Sequence, residues 1–340
     1  MSHNIKRYWA LILPVIVMAA GLMIFKSMTF DGVVISVGDI PGGNLINSKT
    51  VGYPYWMAAG FLLLFMTSVA AVVFTVRDVY LHNSNGTWVV FCWVAVLLFT
   101  VVFFALTKYV PENLFESLGK GVFENSVAVY LVSVGYVPGT ESCQALCPLK
   151  TLIDGSNALA VGAAAVIVCG IATLHPPDGK PENNFSAPEL QNWIDNHLND
   201  IAGRMQRLKY LLLAATSVLV SGVIFMTIWR GWPNVFDFTD RETYKALADS
   251  SVQFQAFHFA LILATIFIPM AVVLKQRAND IVAFDPGLNS DTARKTFLTE
   301  RGVRLDFKSQ AMQLLTILSP YLVSGPLPMV ELIDFIKAGF

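Results

Sequence analysis

Two cysteines four residues apart, Cys143 and Cys147 in ESCQALCP, and one histidine inside an apolar run, His258, are the side chains whose type and position suit chemistry. On an oxidising face the two thiols are expected to join as a disulfide that pins a loop closed by Pro148. The alternative is a pair of free thiols on one turn of helix. Zinc is not expected, because a closed site takes four ligands and no histidine lies near the pair. His258, beside Gln253 and Gln255, reads as a buried or interfacial hydrogen-bonding group. Haem ligation ordinarily wants a second axial residue, and no other apolar run contains a histidine. His3, His82, His175 and His197 show no ligand spacing, and Cys92 and Cys169 read as small packing residues.

Other chemical signatures are missing. The chain has no GxxxxGK[ST] phosphate loop, no HExxH pair, no GxSxG elbow, no TVGYG filter and no intramembrane pair of aspartates. Neither an enzyme activity nor a cofactor or metal is expected. Proton-coupled transporters and voltage sensors keep ionisable groups inside their spans, so those classes recede with the enzymes.

The elements that must position these residues are six apolar runs: Trp9 to Phe25, Tyr55 to Val76, Trp88 to Thr107, Asn157 to Leu174, Tyr210 to Trp229 and Gln253 to Leu274. Each is near the ~20 residues that a spanning helix requires, and none holds an Asp, Glu, Lys or Arg in its interior. At 55% hydrophobic and 14% charged residues, with net charge −1, the chain carries no surface for nucleic acid. Its partner is the lipid bilayer. The expected fold is an all-α integral membrane protein, with residues 1–274 as a six-span domain and 275–340 as a helical tail in the cytoplasm or at the membrane surface.

Orientation follows from Lys and Arg near the span ends. Lys6, Arg7, Arg77, Lys180, Arg204, Arg207, Lys209, Lys275 and Arg277 fall on one side, against Lys26, Lys49, Lys108 and Arg230 on the other. Both termini are therefore expected in the cytoplasm of a cell (inner) membrane. A wider window adds Lys120, Lys150, Arg241 and Lys245 to the outer side and narrows the contrast. On that outer side Gly32 to Gly38 and Ser126 to Val137 are β-branched and aromatic runs, expected to pair as a small β-like cap.

Between the fourth and fifth runs, Ser186 and Glu189 stand in capping-box spacing with Pro188 in the first turn. Ile194, Leu198, Ile201, Met205, Leu208 and Leu212 then advance by alternating steps of four and three, a seam that enters the fifth run without a breaker. A cytoplasmic helix over 187–209, continuous with the fifth span, is predicted. Its seam either packs within the chain or serves self-association. The sixth span is predicted to run on to Phe284 before Asp285, Pro286 and Gly287 stop it, with Ser290 capping a short helix over Asp291 to Arg301.

Small residues (Ser217 and Ser221; Gly162 to Ala165) offer close helix approach, and Pro14 and Pro269 can kink their spans. The function expected from these features is a self-associating channel or membrane effector controlled by its cytoplasmic helices. A non-conducting scaffold docking a soluble partner through 187–209 and 275–340 is the alternative, and a small-solute transporter the third.

Overall fold

A computed structural model describes residues 48–82, 142–176, 179, 181, 185–236, 241–285, 287, 288 and 290–301, with 13, 16, 17, 20 and 21. Every regular element among them is helical: α1 (Ser48–His82), α2 (Ser142–Ala172), α3 (Ala187–Gly231), a 3-10 turn (Trp232–Val235), α4 (Arg241–Val282) and α5 (Asp291–Glu300). The stretches Tyr55–His82, Gly155–Ala172, Ala187–Val235 and Arg241–Val282 are long and apolar enough to cross a membrane. They contain three of the six expected runs whole and Asn157 to Leu174 as far as Ala172. Trp88 to Thr107 and both strands of the expected cap lie outside the described residues, as does most of Trp9 to Phe25, of whose five described positions Val17 and Gly21 lie against His258.

The start of α3 is set by its cap. Both the backbone N–H and the hydroxyl of Ser186 donate to the Glu189 carboxylate, at 2.8 and 2.7 Å, and Pro188 occupies the first turn, where its missing N–H costs nothing. From there α3 runs unbroken for 45 residues, about 68 Å at ~1.5 Å per residue. Pro233 sits in the 3-10 turn that follows. The other long helix, α4, passes through Pro269 without a break and ends where Ala283, Phe284 and Asp285 fold back onto the last carbonyls. Gly287 N–H then donates to the Asp285 side chain, and Ser290 accepts from Ala293 N–H to open α5. The span 253–274 and the first part of 275–340 are thus one helix, which also extends twelve residues before Gln253.

α3 is the axis of the bundle and touches α1, α2 and α4. Asp78 of α1 meets Arg207, while Gly60 lies against Phe225 and Ile228, so the two helices are antiparallel. The same direction follows for α4, whose Ser251 meets Arg230 while Leu274, Ala278 and Ile281 join the cluster around the α3 seam. At the α3 N-terminal end one core gathers the seam with Leu174, Leu274, Ala278, Ile281 and Leu298; toward its C-terminus a second gathers Phe225, Trp229, Trp232, Phe236 and Tyr244.

On α1, Tyr55 and Trp56 are exposed at one end (76% and 66%) and Tyr80 at the other (78%), with Leu62, Met66 and Val73 exposed between them. Aromatic side chains at both edges of an apolar band mark membrane interfaces. The ~36 Å from Trp56 to Tyr80, at ~1.5 Å per residue, matches a hydrocarbon core of about 30 Å with its margins.

Candidate functional site

The seam forms because α3 turns one face inward along its whole length. Ile194, Leu198, Ile201, Met205, Leu208 and Leu212 are all 3% exposed or less. What covers them belongs to the same chain: Leu174 in the turn after α2, the continuation of α4 and Leu298 of α5. The seam is therefore an internal core, and the reading of it as a self-association surface is replaced by packing within the chain.

Around this core, arginines tie the loops and helix ends to the N-terminal half of α3. Arg204 donates to the carbonyl of His175 at 3.0 Å and to Asp200 at 2.8 Å, with a longer contact of 3.5 Å to Thr173. A cation there offsets the partial negative charge at the C-terminus of α2. Arg277 of α4 donates to the Gly179 carbonyl, and Arg301 pairs with Asp195 at 2.7 Å. Trp193 packs at a tilt on His197 and meets Phe284 edge-on, so the ends of α3 and α4 are joined by aromatic contact as well. Hydrogen bonds from Ser186 hold the exposed Glu189 carboxyl below its ordinary range.

A two-point ion pair sits where this half of α3 meets the apolar band. Arg207 grips Asp78 with Nε 2.9 Å from both carboxylate oxygens and Nη2 2.8 Å from Oδ2. The side chains are 16% and 10% exposed. Such a two-point pair fixes the rotation of α1 against α3 as well as their distance. Nothing local in the sequence signals it.

At the opposite edge Arg230 is buried, 3% exposed. It donates to Ser251 and lies 5.2 Å over the Trp229 ring, while Tyr244 Oη donates to its carbonyl at 2.8 Å. Arg230 reads from sequence as an outer flanking charge, whereas the early start of α4 folds Tyr244 and Ser251 over it. In the band between, Thr67 and Ser221 hydroxyls meet at 2.7 Å across α1 and α3. Ser217 is exposed and bonds its own helix at Leu213, so Ser217 and Ser221 do not share a contact face. Close approach occurs instead at Gly170 against Thr75, and at Gly60 against Ile228. Within Gly162 to Ala165, Ala163 is buried at 1% but Gly162 meets nothing.

His258 has the hydrogen-bonding role expected of it. Its Nε2 lies 2.9 Å from the Val17 carbonyl, which accepts only, so Nε2 carries the proton. No group of three or more His, Cys, Asp or Glu suited to a metal occurs among the described residues.

The backbone around Cys143 and Cys147 departs from the expected loop. The segment is helical from Ser142, with Pro148 inside α2 rather than closing a loop; the two side chains lie outside the described residues. A regular helix holds the Cβ atoms of residues four apart ~5–6 Å from each other, beyond the ~3.5–4.5 Å that a disulfide spans. Helix formation thus favours the free-thiol alternative.

The four apolar helices fit a polytopic membrane protein. No family of known proteins, no curated protein and no solved structure matches the chain.

Proposed function

We propose that the protein is a membrane effector worked through its projecting helices, with α3, α4 and α5 forming a stalk that a soluble partner engages. The observation that carries this reading is the continuity of α3, which passes from a core closed by α2, α4 and α5 into the apolar bundle without a break. A push on the stalk then moves a rigid rod, and the Arg207–Asp78 grip passes that movement to α1. On the charge distribution we place the stalk and both termini in the cytoplasm of a cell membrane.

A pore through the bundle has less support. The buried polar residues among those described are Ser68, Thr75, Ser156, Thr216, Ser221 and Arg230; Ser68 and Thr75 share a face of α1, but two hydroxyls make no continuous polar file, and the rest are spread over α2 and α3. The deciding experiment is reconstitution of the purified protein alone in liposomes with measurement of ion flux, beside affinity recovery of co-purifying proteins from membranes. Silence at high protein load, together with a partner lost on deletion of α5, is expected. Flux from the protein alone would replace the effector reading with the channel reading.

A further inference from the structure

The face of α3 opposite the seam is exposed at Asn192, Asn196, Asn199, Gly203, Gln206 and Tyr210, and it continues into the apolar half at Leu213. Steps of four and three alternate along it as they do along the buried seam, so the stripe stays straight on a helix that pairs with another. Its composition is not that of an ordinary solvated face. Such faces favour Lys, Glu, Gln and Arg, which stabilise helices, whereas Asn and Gly are poor helix formers. Here three Asn and one Gly sit in one exposed row, and no Lys, Arg, Asp or Glu falls on it between Asn192 and Leu213; one step earlier the row reaches Glu189, whose carboxylate is held by Ser186.

We infer that two copies of the chain pair in parallel along this stripe, each residue facing its own counterpart across a two-fold axis. A membrane holds two copies of one protein in the same orientation, so a self-pairing helix must tolerate identical side chains facing each other. Charged residues repel there. Asn and Gln donate and accept at once, and an Asn in such a seam is a known means of fixing register and a two-stranded state. Nothing lies within 4 Å of a Cβ placed on Gly203, which leaves room for the opposing backbone.

The flanking charges are compensated before pairing. Asp195, Asp200 and Arg207 border the stripe, and each is already neutralised within its own chain, by Arg301, Arg204 and Asp78. In a parallel pair Lys209, the remaining flank charge, faces the level of Ala214, while Asp195 faces the level of Asp200, so that there two carboxylates meet, each carrying the arginine of its own chain. The pairing does not rest on the effector reading, since it is measured by copy number alone.

The test uses the full chain with one fluorophore, extracted into polymer-bounded nanodiscs and counted by photobleaching. Wild-type discs should bleach mainly in two steps. Asn196→Lys with Asn199→Lys sets like charges across the axis and should weaken pairing at least about tenfold, while Gln191→Lys, exposed off the stripe, should leave it unchanged. As a second measure, Asn199→Cys in a background with Cys92, Cys143, Cys147 and Cys169 changed to serine should form a disulfide-linked dimer on mild oxidation, and Met205→Cys on the buried face should not. Single-step wild-type discs, a double-lysine variant that pairs like wild type, equal disruption by Gln191→Lys, or cross-linking from Met205→Cys instead of Asn199→Cys would each overturn the proposal.

Discussion

His258 and Gly21 meet so closely that the glycine has no room for a side chain: a Cβ built on Gly21 overlaps the imidazole ring, whose Nε2 donates to Val17 one helical turn earlier. The histidine thus needs both the carbonyl and the missing side chain. Gly21→Ala is expected to destabilise the protein by about 1–3 kcal/mol through overpacking. His258→Ala alone leaves a cavity and removes the hydrogen bond, at a cost of about 1–3 kcal/mol. The two together should cost less than their sum, because the alanine at 21 enters space that the ring has left. Thermal unfolding of the four proteins in one detergent checks the coupling; strict additivity would show that the two residues do not meet.

Asp78 and Arg207 are separated by 129 residues and joined by a two-point pair at the edge of the apolar band. Asp78→Ala strands the guanidinium in a largely buried position, with an expected loss of about 3–5 kcal/mol. Asp78→Leu with Arg207→Met should recover most of it, since removing both charges leaves no uncompensated ion. Denaturant unfolding reads the difference. If the pair also carries movement from α3 to α1, the double variant regains stability but not effector activity, a split that a purely structural pair would not produce.

Much of the architecture was legible because local chemistry dictates it. The alternating apolar steps from Ile194 to Leu212 define a face, Ser186 and Glu189 define where the helix starts, and Asp285, Gly287 and Ser290 define a stop and a restart. Each depends on neighbours within a turn or two. Tertiary partnership was not legible in the same way. Whether Arg230 meets lipid headgroups or a protein core depends on Tyr244 and Ser251, which reach it only because α4 begins before its apolar run. Gly170 and Gly60 are unremarkable until Thr75 and Ile228 are seen against them. Pro148 misled for a related reason: a proline ends most helices, but α2 accommodates it.

The cysteines supply a third test. With Cys143 and Cys147 on consecutive turns of α2, both thiols are expected to react with an alkylating reagent in unreduced, denatured protein. Two modified residues on one tryptic peptide, with no mass deficit of two hydrogens, is the expected spectrum. An intact disulfide would require the first turns of α2 to unwind, because a regular helix keeps the two Cβ atoms too far apart.

The last test addresses the stalk itself. Ile201 is 1% exposed at the middle of the seam, between Leu198 and Met205 and within the cluster that includes Leu274 and Ala278. Ile201→Asp puts a carboxylate among apolar side chains, where an unpaired charge costs several kcal/mol, raises its own pKa or drives the helices apart. Gln191→Asp, on the exposed side, adds the same charge at little cost and serves as the control. The apolar halves of α1, α3 and α4 should still insert, since their stability comes from lipid and from one another. Protease cleavage in the stalk should rise at least about tenfold in Ile201→Asp, reflecting about 1.4 kcal/mol or more of local opening, and partner recovery should fall in parallel. Equal effects of the two substitutions, or wild-type partner recovery from a stalk that has demonstrably opened, would mean that the packed stalk is not the element through which the membrane bundle is reached.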